Sequence, residues 1–198
     1  MLERMMSERL RSRSTFEDAV ETVLHDVVAL HGAEYGDVQL PVGDELWLVA
    51  QLGLTAPFLK TFMRVRPQDG CACGRALRDR RTIVIPDVEV DPEYAAFRRD
   101  AQAAGYRGVQ STPLIASNGA LIGVVSTLFA RAHEPTVIEM QTLTTYGVSA
   151  ANHLCKLLGG DSLAAKAERM SARLRAEFGL DEAPPAMAGA PDHPPAPA

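Results

Sequence analysis

No run of apolar residues in this 198-residue chain reaches the roughly 20 needed to cross a bilayer. The reading therefore contains no membrane span and no membrane partner. The opening stretch MLERMMSERLRSRS carries charges throughout and lacks the apolar centre of an export signal, so a cytoplasmic location is expected. Positive charge is not in excess either. Lys and Arg number 20 against 25 Asp and Glu, and the net charge of -5 offers a phosphate backbone no general attraction. Nucleic acid is not an expected partner. Cysteine is scarce: three residues, an odd count without export features, argue for reduced thiols over a disulfide framework. Paired metal-ligand spacings are missing as well, since His25, His31, His133 and His153 are scattered over separate segments. No metal site is expected, and no cofactor can be named.

What is present is a 46% hydrophobic, 23% charged chain, enough for one soluble domain with extensions. Residues 14–30 repeat Phe16, Val20, Val23, Leu24, Val27 and Leu30 at helical spacing. Ser14 and Glu17 read as a capping box at the start of this helix, and Gly32 as its stop. Residues 1–13 add Leu2, Met5, Met6 and Leu10 among charges, an amphipathic helical lead too short to be stable alone.

Two β-rich stretches, residues 35–40 and 45–52, flank PVGD and predict a hairpin. A short helix is expected over residues 56–63. The segment DGCACGRAL then starts another, at about residue 71, and RTIVIPDV returns as a strand stopped at Pro86. In DPEYAAFRRDAQAAG, Asp91 reads as N-cap, Pro92 as the first helical residue and Gly105 as the stop. VQSTPLIA and LIGVVSTLFA are joined by Asn118-Gly119, a strong hairpin signal. Thr136 and Glu139 open a long helix whose seam is Val137, Met140, Thr144, Gly147, Ala151, Leu154 and Leu158. A helical extension is expected over residues 159–178, and a Pro/Ala-rich, disordered tail over 179–198.

The order of elements predicts an α+β fold. A central antiparallel β-sheet buries one face under the N- and C-terminal helices, and short helices and loops form a pocket on the other. Alternation sends Val109, Ser111, Pro113 and Ile115 to one face of their strand, and Ser126 and Leu128 to one face of theirs. Hydroxyls in apolar central strands need partners, which a ligand or the backbone can supply. Asp87, Tyr94, Phe97 and Tyr106 fall near the same side of the chain and add a carboxylate and aromatic rings. Cys71 and Cys73 stand at a helix start, where the helix dipole favours a thiolate. The alternative for both is that of small residues fitted into a tight turn.

DGCACGRAL, TIVIPDVEVDPEY, GVQSTPLIASNGALIGVVSTLF and the closing helix, in this order, resemble a GAF domain over residues 14–158. The resemblance implies a stand-alone GAF-like sensory module in signal transduction, its pocket on the sheet face opposite the terminal helices. GAF domains take cyclic nucleotides, tetrapyrroles, small metabolites or nothing. The Asn-Lys-Phe-Asp type of motif found with cyclic nucleotides is missing, no PHY region accompanies a bilin site, and no output domain is visible. The resemblance therefore implies a response passed to a separate signalling effector, or through the chain's own flanking helices.

Candidate ligand-binding residues are Cys71, Cys73, Asp87, Tyr94, Phe97, Tyr106, Ser111, Ser126 and Leu128. None is expected to be catalytic. An alternative within the resemblance is a free methionine-R-sulfoxide reductase using Cys73. Residues 87–112 lack the further cysteine that such enzymes carry, and Cys71 would close a strained bridge as resolving partner. A second alternative is a dimeric scaffold with a filled cavity. In either non-enzymatic reading a homodimer through the terminal helices is expected, because two-fold pairing is the commonest assembly.

Overall fold

A computed structural model describes residues 2–180 of the chain. The last residues of the expected tail, 181–198, lie outside them. Helix α1 (Leu2–Arg11) is separated from α2 (Phe16–His31) by a short break. Thr15 makes that break: its backbone is extended and its hydroxyl accepts the Asp18 amide N–H at 3.1 Å. The expected capping box at Ser14 and Glu17 is thus corrected by one residue, because only from Thr15 does the hydroxyl reach the free N–H of the first turn. Gly32 ends α2 in the left-handed region, at φ 58°.

Strands β1 (Tyr35–Val42) and β2 (Glu45–Leu52) form the first hairpin. They are followed by α3 (Ala56–Phe62), the two-residue β3 (Arg64–Val65), α4 (Ala72–Asp79) and β4 (Ile83–Ile85). The expected helix from Asp91 begins later than its sequence signals suggest. Asp91 Oδ1 accepts the Tyr94 N–H at 3.0 Å and closes a turn, a single 3-10 turn covers Ala95–Phe97, and α5 covers only Arg98–Ala104. Here the aspartate caps a turn in place of a helix, as its short side chain readily does. The second hairpin is β5 (Gly108–Ile115) and β6 (Leu121–Phe129), and α6 (Val137–Leu157) and α7 (Leu163–Glu177) complete the order.

The strands pair antiparallel in the order β3-β2-β1-β6-β5-β4, which puts the two hairpins side by side through β1 and β6. One apolar core lies between the sheet and α1, α2 and α6, with Leu24, Val38, Leu40, Val125, Tyr146 and Leu154 among its members. The second lies on the opposite face, where Leu48, Phe58, Phe62, Tyr94, Val109 and Leu128 meet. Gly36 permits the close approach of α2, since a Cβ there would stand 2.5 Å from Val28 Cγ2.

The N-terminal lead is a packed helix. Met6 and Leu10 are buried in the first core, Arg9 pairs with the buried Asp26 of α2, and the Tyr146 hydroxyl of α6 donates to Asp26 Oδ2 at 2.5 Å. The expected seam of α6 holds only over its second half. Gly147, Ala151 and Leu154 are buried, whereas Val137 is 71% exposed and Thr144 is exposed. The buried stripe instead begins at Leu143 and Tyr146, and the N-terminal turns of α6 before it bury no side chain. Helix α7 runs back along the β1–β2 side, with Lys166 bridging to Glu17 of α2 at 3.0 Å.

Candidate functional site

The register places Asp37 of β1 opposite Ser126 of β6, and Ser126 opposite Ser111 of β5. Three polar side chains therefore form one row across the middle of the sheet, on the face turned away from α2 and α6. The Ser111 and Ser126 hydroxyl oxygens are 2.9 Å apart, and Ser126 favours the charge of the Asp37 carboxyl opposite it. Gln39, two residues along β1 and so on the same face, donates from Nε2 to the Phe62 carbonyl at 3.1 Å.

Helices α3 and α4 roof this row. Phe58 and Phe62 descend from α3 with ring centroids 4.5 Å apart, and Ala72 and Cys73 descend from α4. The start of α4 is held close by a turn in which Asp69 Oδ2 accepts the Arg66 N–H at 2.7 Å. Gly74 permits the approach: a Cβ there would lie 2.6 Å from the carbonyl oxygens of both Arg66 and Asp69. Tyr94 closes the third side, its hydroxyl 2.8 Å from that of Tyr106. What remains between sheet and roof is a cavity of about 10 Å³, room for about one water molecule.

Burial decides the electrostatics. Asp37 is 4% exposed, and desolvation pushes its carboxyl up to about 7. Cys73 is pushed well above the ordinary thiol range by its hydrogen bond with Cys71, 3.5 Å away sulfur to sulfur, and by burial. Of the two readings of the helix start, the low-dielectric surrounding weighs against the thiolate, because it outweighs the dipole of an eight-residue helix. Tyr94 is likewise raised by desolvation. Both cysteines are free thiols, and Cys71 occupies the N-cap without making a side-chain cap bond.

Of the residues singled out in the sequence, Cys73, Tyr94, Ser111, Ser126 and Leu128 line the cavity together. Cys71, Phe97 and Tyr106 stand behind them, Phe97 packing on Phe62 at 5.4 Å and Tyr106 edge-on to Phe58 at 5.9 Å. Asp87 is not brought to the site. It bonds Arg107 and the Glu89 N–H on the surface, and the Arg107 guanidinium holds its carboxyl below the usual range. Sequence reasoning missed Asp37, Gln39, Phe58, Phe62 and Ala72. The alternation rule applied to YGDVQL would have put Asp37 and Gln39 on one face. That β1 neighbours β6 is what gives the face its meaning, and pairing between distant strands is not written in either segment.

The GAF domain family model matches residues 13–154. The chain belongs to the GAF domain family. Solved structures share this GAF architecture at low sequence identity. The GAF domain of a phosphoenolpyruvate-protein phosphotransferase from Coxiella burnetii is 19% identical over 78% of this chain and 91% of its own, with a TM-score of 0.66. A domain of a methyl-accepting chemotaxis protein is 17% identical over 77% of this chain and 96% of its own, TM-score 0.60. Free methionine-R-sulfoxide reductase from Neisseria meningitidis, solved with its substrate, is 18% identical over 84% of this chain and 89% of its own, TM-score 0.59. No curated protein matches the sequence. GAF domains are sensory modules found in signalling proteins, and these likenesses establish the α+β sheet with its two covered faces. Among the described residues no helix is long and apolar enough to cross a membrane, and no group of three His, Cys, Asp or Glu is placed to hold a metal ion.

Proposed function

We propose that this GAF domain is a cytoplasmic small-molecule sensor whose ligand enters the cavity between the Asp37–Ser126–Ser111 row and helices α3 and α4. The observation that carries the reading is the chemistry of the cavity floor. Asp37 Oδ1 and Gln39 Oε1 are buried and have no hydrogen-bond partner. Leaving such a group unpaired costs about 1–3 kcal/mol, which an apolar residue at either place would avoid. The small volume alone favours the ligand-free scaffold; the orphaned acceptors weigh against it.

Binding requires the roof to move, and the roof touches the chain's end. Met63, at the end of α3 next to the cavity-lining Phe62, accepts a hydrogen bond at its sulfur from the Ser171 hydroxyl of α7 at 3.4 Å. Leu174 of α7 packs in the same core as Phe58 and Phe62. A ligand that lifts α3 thus shifts α7, and it switches the protein to the extent that it prefers one arrangement over the other. The receiver is a second copy of the chain or a separate effector protein.

A metabolite panel read by thermal shift tests this, with hydrogen exchange of α7 as the second readout. A hit that protects α3 and alters exchange in α7 supports the sensor. An empty panel with native mass spectra of unliganded protein leaves the scaffold. The reductase reading rests on the Cys71–Cys73 pair; turnover of free methionine sulfoxide that Cys73→Ser abolishes would establish it, and a buried, protonated Cys73 speaks for no turnover.

A further inference from the structure

The two unpartnered polar atoms at the cavity are Asp37 Oδ1, an acceptor once the carboxyl is ionised, and the acceptor Gln39 Oε1. The Gln39 amide is oriented by its own bond: with Nε2 committed to the Phe62 carbonyl, its oxygen is the free end. The hydroxyls and thiols around them are paired with one another, Ser111 with Ser126, Tyr94 with Tyr106, and Cys73 with Cys71, and none is placed as a hydrogen-bond partner of either atom. No Lys, Arg or His lines the space, so it offers an anion nothing. Phe58, Phe62 and Tyr94 enclose it with aromatic rings, whose faces attract cations.

We propose that this cavity receives the ammonium head of a small primary amine, held by Asp37 Oδ1 and Gln39 Oε1 beneath the rings of Phe58, Phe62 and Tyr94. The assignment rests on the cavity being the sensory site and names the class of ligand it takes. A primary ammonium is a head of about the size of the water the cavity can hold. The remainder of the ligand displaces α3, a seven-residue helix whose N-cap Thr55 makes no side-chain cap bond.

Binding is linked to protonation. The cation selects the ionised Asp37, whose carboxyl sits at about 7 in the free protein, so amine affinity falls about tenfold for each pH unit below that value and levels off above it. Cys73 on α4 and Tyr94 ahead of α5 are the other titratable groups facing Asp37, and both stay protonated throughout that range.

The test uses the full chain, with n-butylammonium, n-butanol and butyrate compared at one ionic strength by calorimetric titration and thermal unfolding, at about pH 6 and about pH 8. The expected result is stabilisation by butylammonium alone, tighter at the higher pH, and weakened about tenfold or more by Asp37→Asn. Should that variant not fold, carboxyl ¹³C NMR of the wild type reads the same event: the Asp37 titration moves to lower pH on adding the amine. Butanol or butyrate binding as tightly as the amine, amine binding indifferent to Asp37→Asn, or no response to the amine overturns the ammonium assignment. Each leaves the sensor standing as long as some other compound from the metabolite panel binds the cavity; if none does, the sensory reading falls with it.

Discussion

Asp37 and Ser126 face each other across β1 and β6, and the Ser126 side chain favours the charge of the buried Asp37 carboxyl too weakly to offset its desolvation. A carboxylate so placed opposes folding once ionised. Its folded value, about 7, lies above the ordinary 3.8. Stability therefore declines as pH rises from the lower value to the higher, by an amount on the order of 3–4 kcal/mol. Asp37→Asn removes the ionisation and keeps the shape. Urea unfolding at neutral pH and above is expected to show the variant more stable than wild type by about 2–4 kcal/mol.

His31 works in the opposite sense. Buried at the end of α2, with Nδ1 3.1 Å from the Thr127 hydroxyl, it is lowered by desolvation from 6.5 to about 4. The unfolded chain takes up a proton there that the folded chain refuses, so stability is lost as pH falls from 6.5 towards 4. Over that interval the slopes of His31 and Asp37 oppose each other. Asp37→Asn is expected to leave stability rising with pH, and His31→Gln to leave it falling, each by up to about 1.4 kcal/mol per pH unit. Unfolding free energies measured across the interval check both signs.

The hairpins, the terminal helices and the Thr136 capping box were legible because each is written in neighbouring residues: Asn118-Gly119 at a turn, Glu139 three places after Thr136. Ser111 and Ser126 were legible for the same reason, being polar positions in two strands joined by one turn. Asp37 and Gln39 were not, since their role depends on β1 lying against β6, some ninety residues away in the chain. The late start of α5 was missed because Asp91 offers the same local bond to a turn as to a helix, and the packing of Phe97 on Phe62 of α3, with Tyr94 on Phe97, is not written in the local sequence.

The thiols should be silent in the folded protein. Cys71 and Cys73 are 1% and 7% exposed, whereas Cys155 is half-buried on α6. Iodoacetamide under native conditions is expected to label Cys155 first. Cys71 and Cys73 should react about 100-fold more slowly, at the rate of opening of the roof. Mass spectrometry of tryptic peptides over time distinguishes the three. Rapid labelling of Cys73 would reinstate a reactive thiol.

Gly74→Ala sets helix propensity against packing. The added methyl gains up to about 1 kcal/mol for α4, yet it meets two backbone oxygens at 2.6 Å, both belonging to the turn that Asp69 closes. Backbone cannot rotate aside as a side chain does, so either α4 or residues 66–69 must retreat from the sheet. A net destabilisation of about 1–3 kcal/mol is expected in urea unfolding, with faster amide exchange across α4.

The N-terminal turns of α6 carry the largest apolar exposure near a terminal helix. Val137 is 71% exposed and Ile138 75%, with Pro135 and Met140 beside them. They lie about one to two turns ahead of the buried side chains of α6, and among the described residues nothing covers the exposed stripe at Val137 and Ile138. Pairing two copies about a two-fold axis along this stripe would bury it and place one α6 against the other. Sedimentation of the wild type is then expected to give a dimer. Val137→Glu with Ile138→Glu should give a monomer with unchanged unfolding temperature, because both side chains lie outside the core. A monomeric wild type would instead direct the stripe, and any signal arriving through α6 and α7, towards a separate effector.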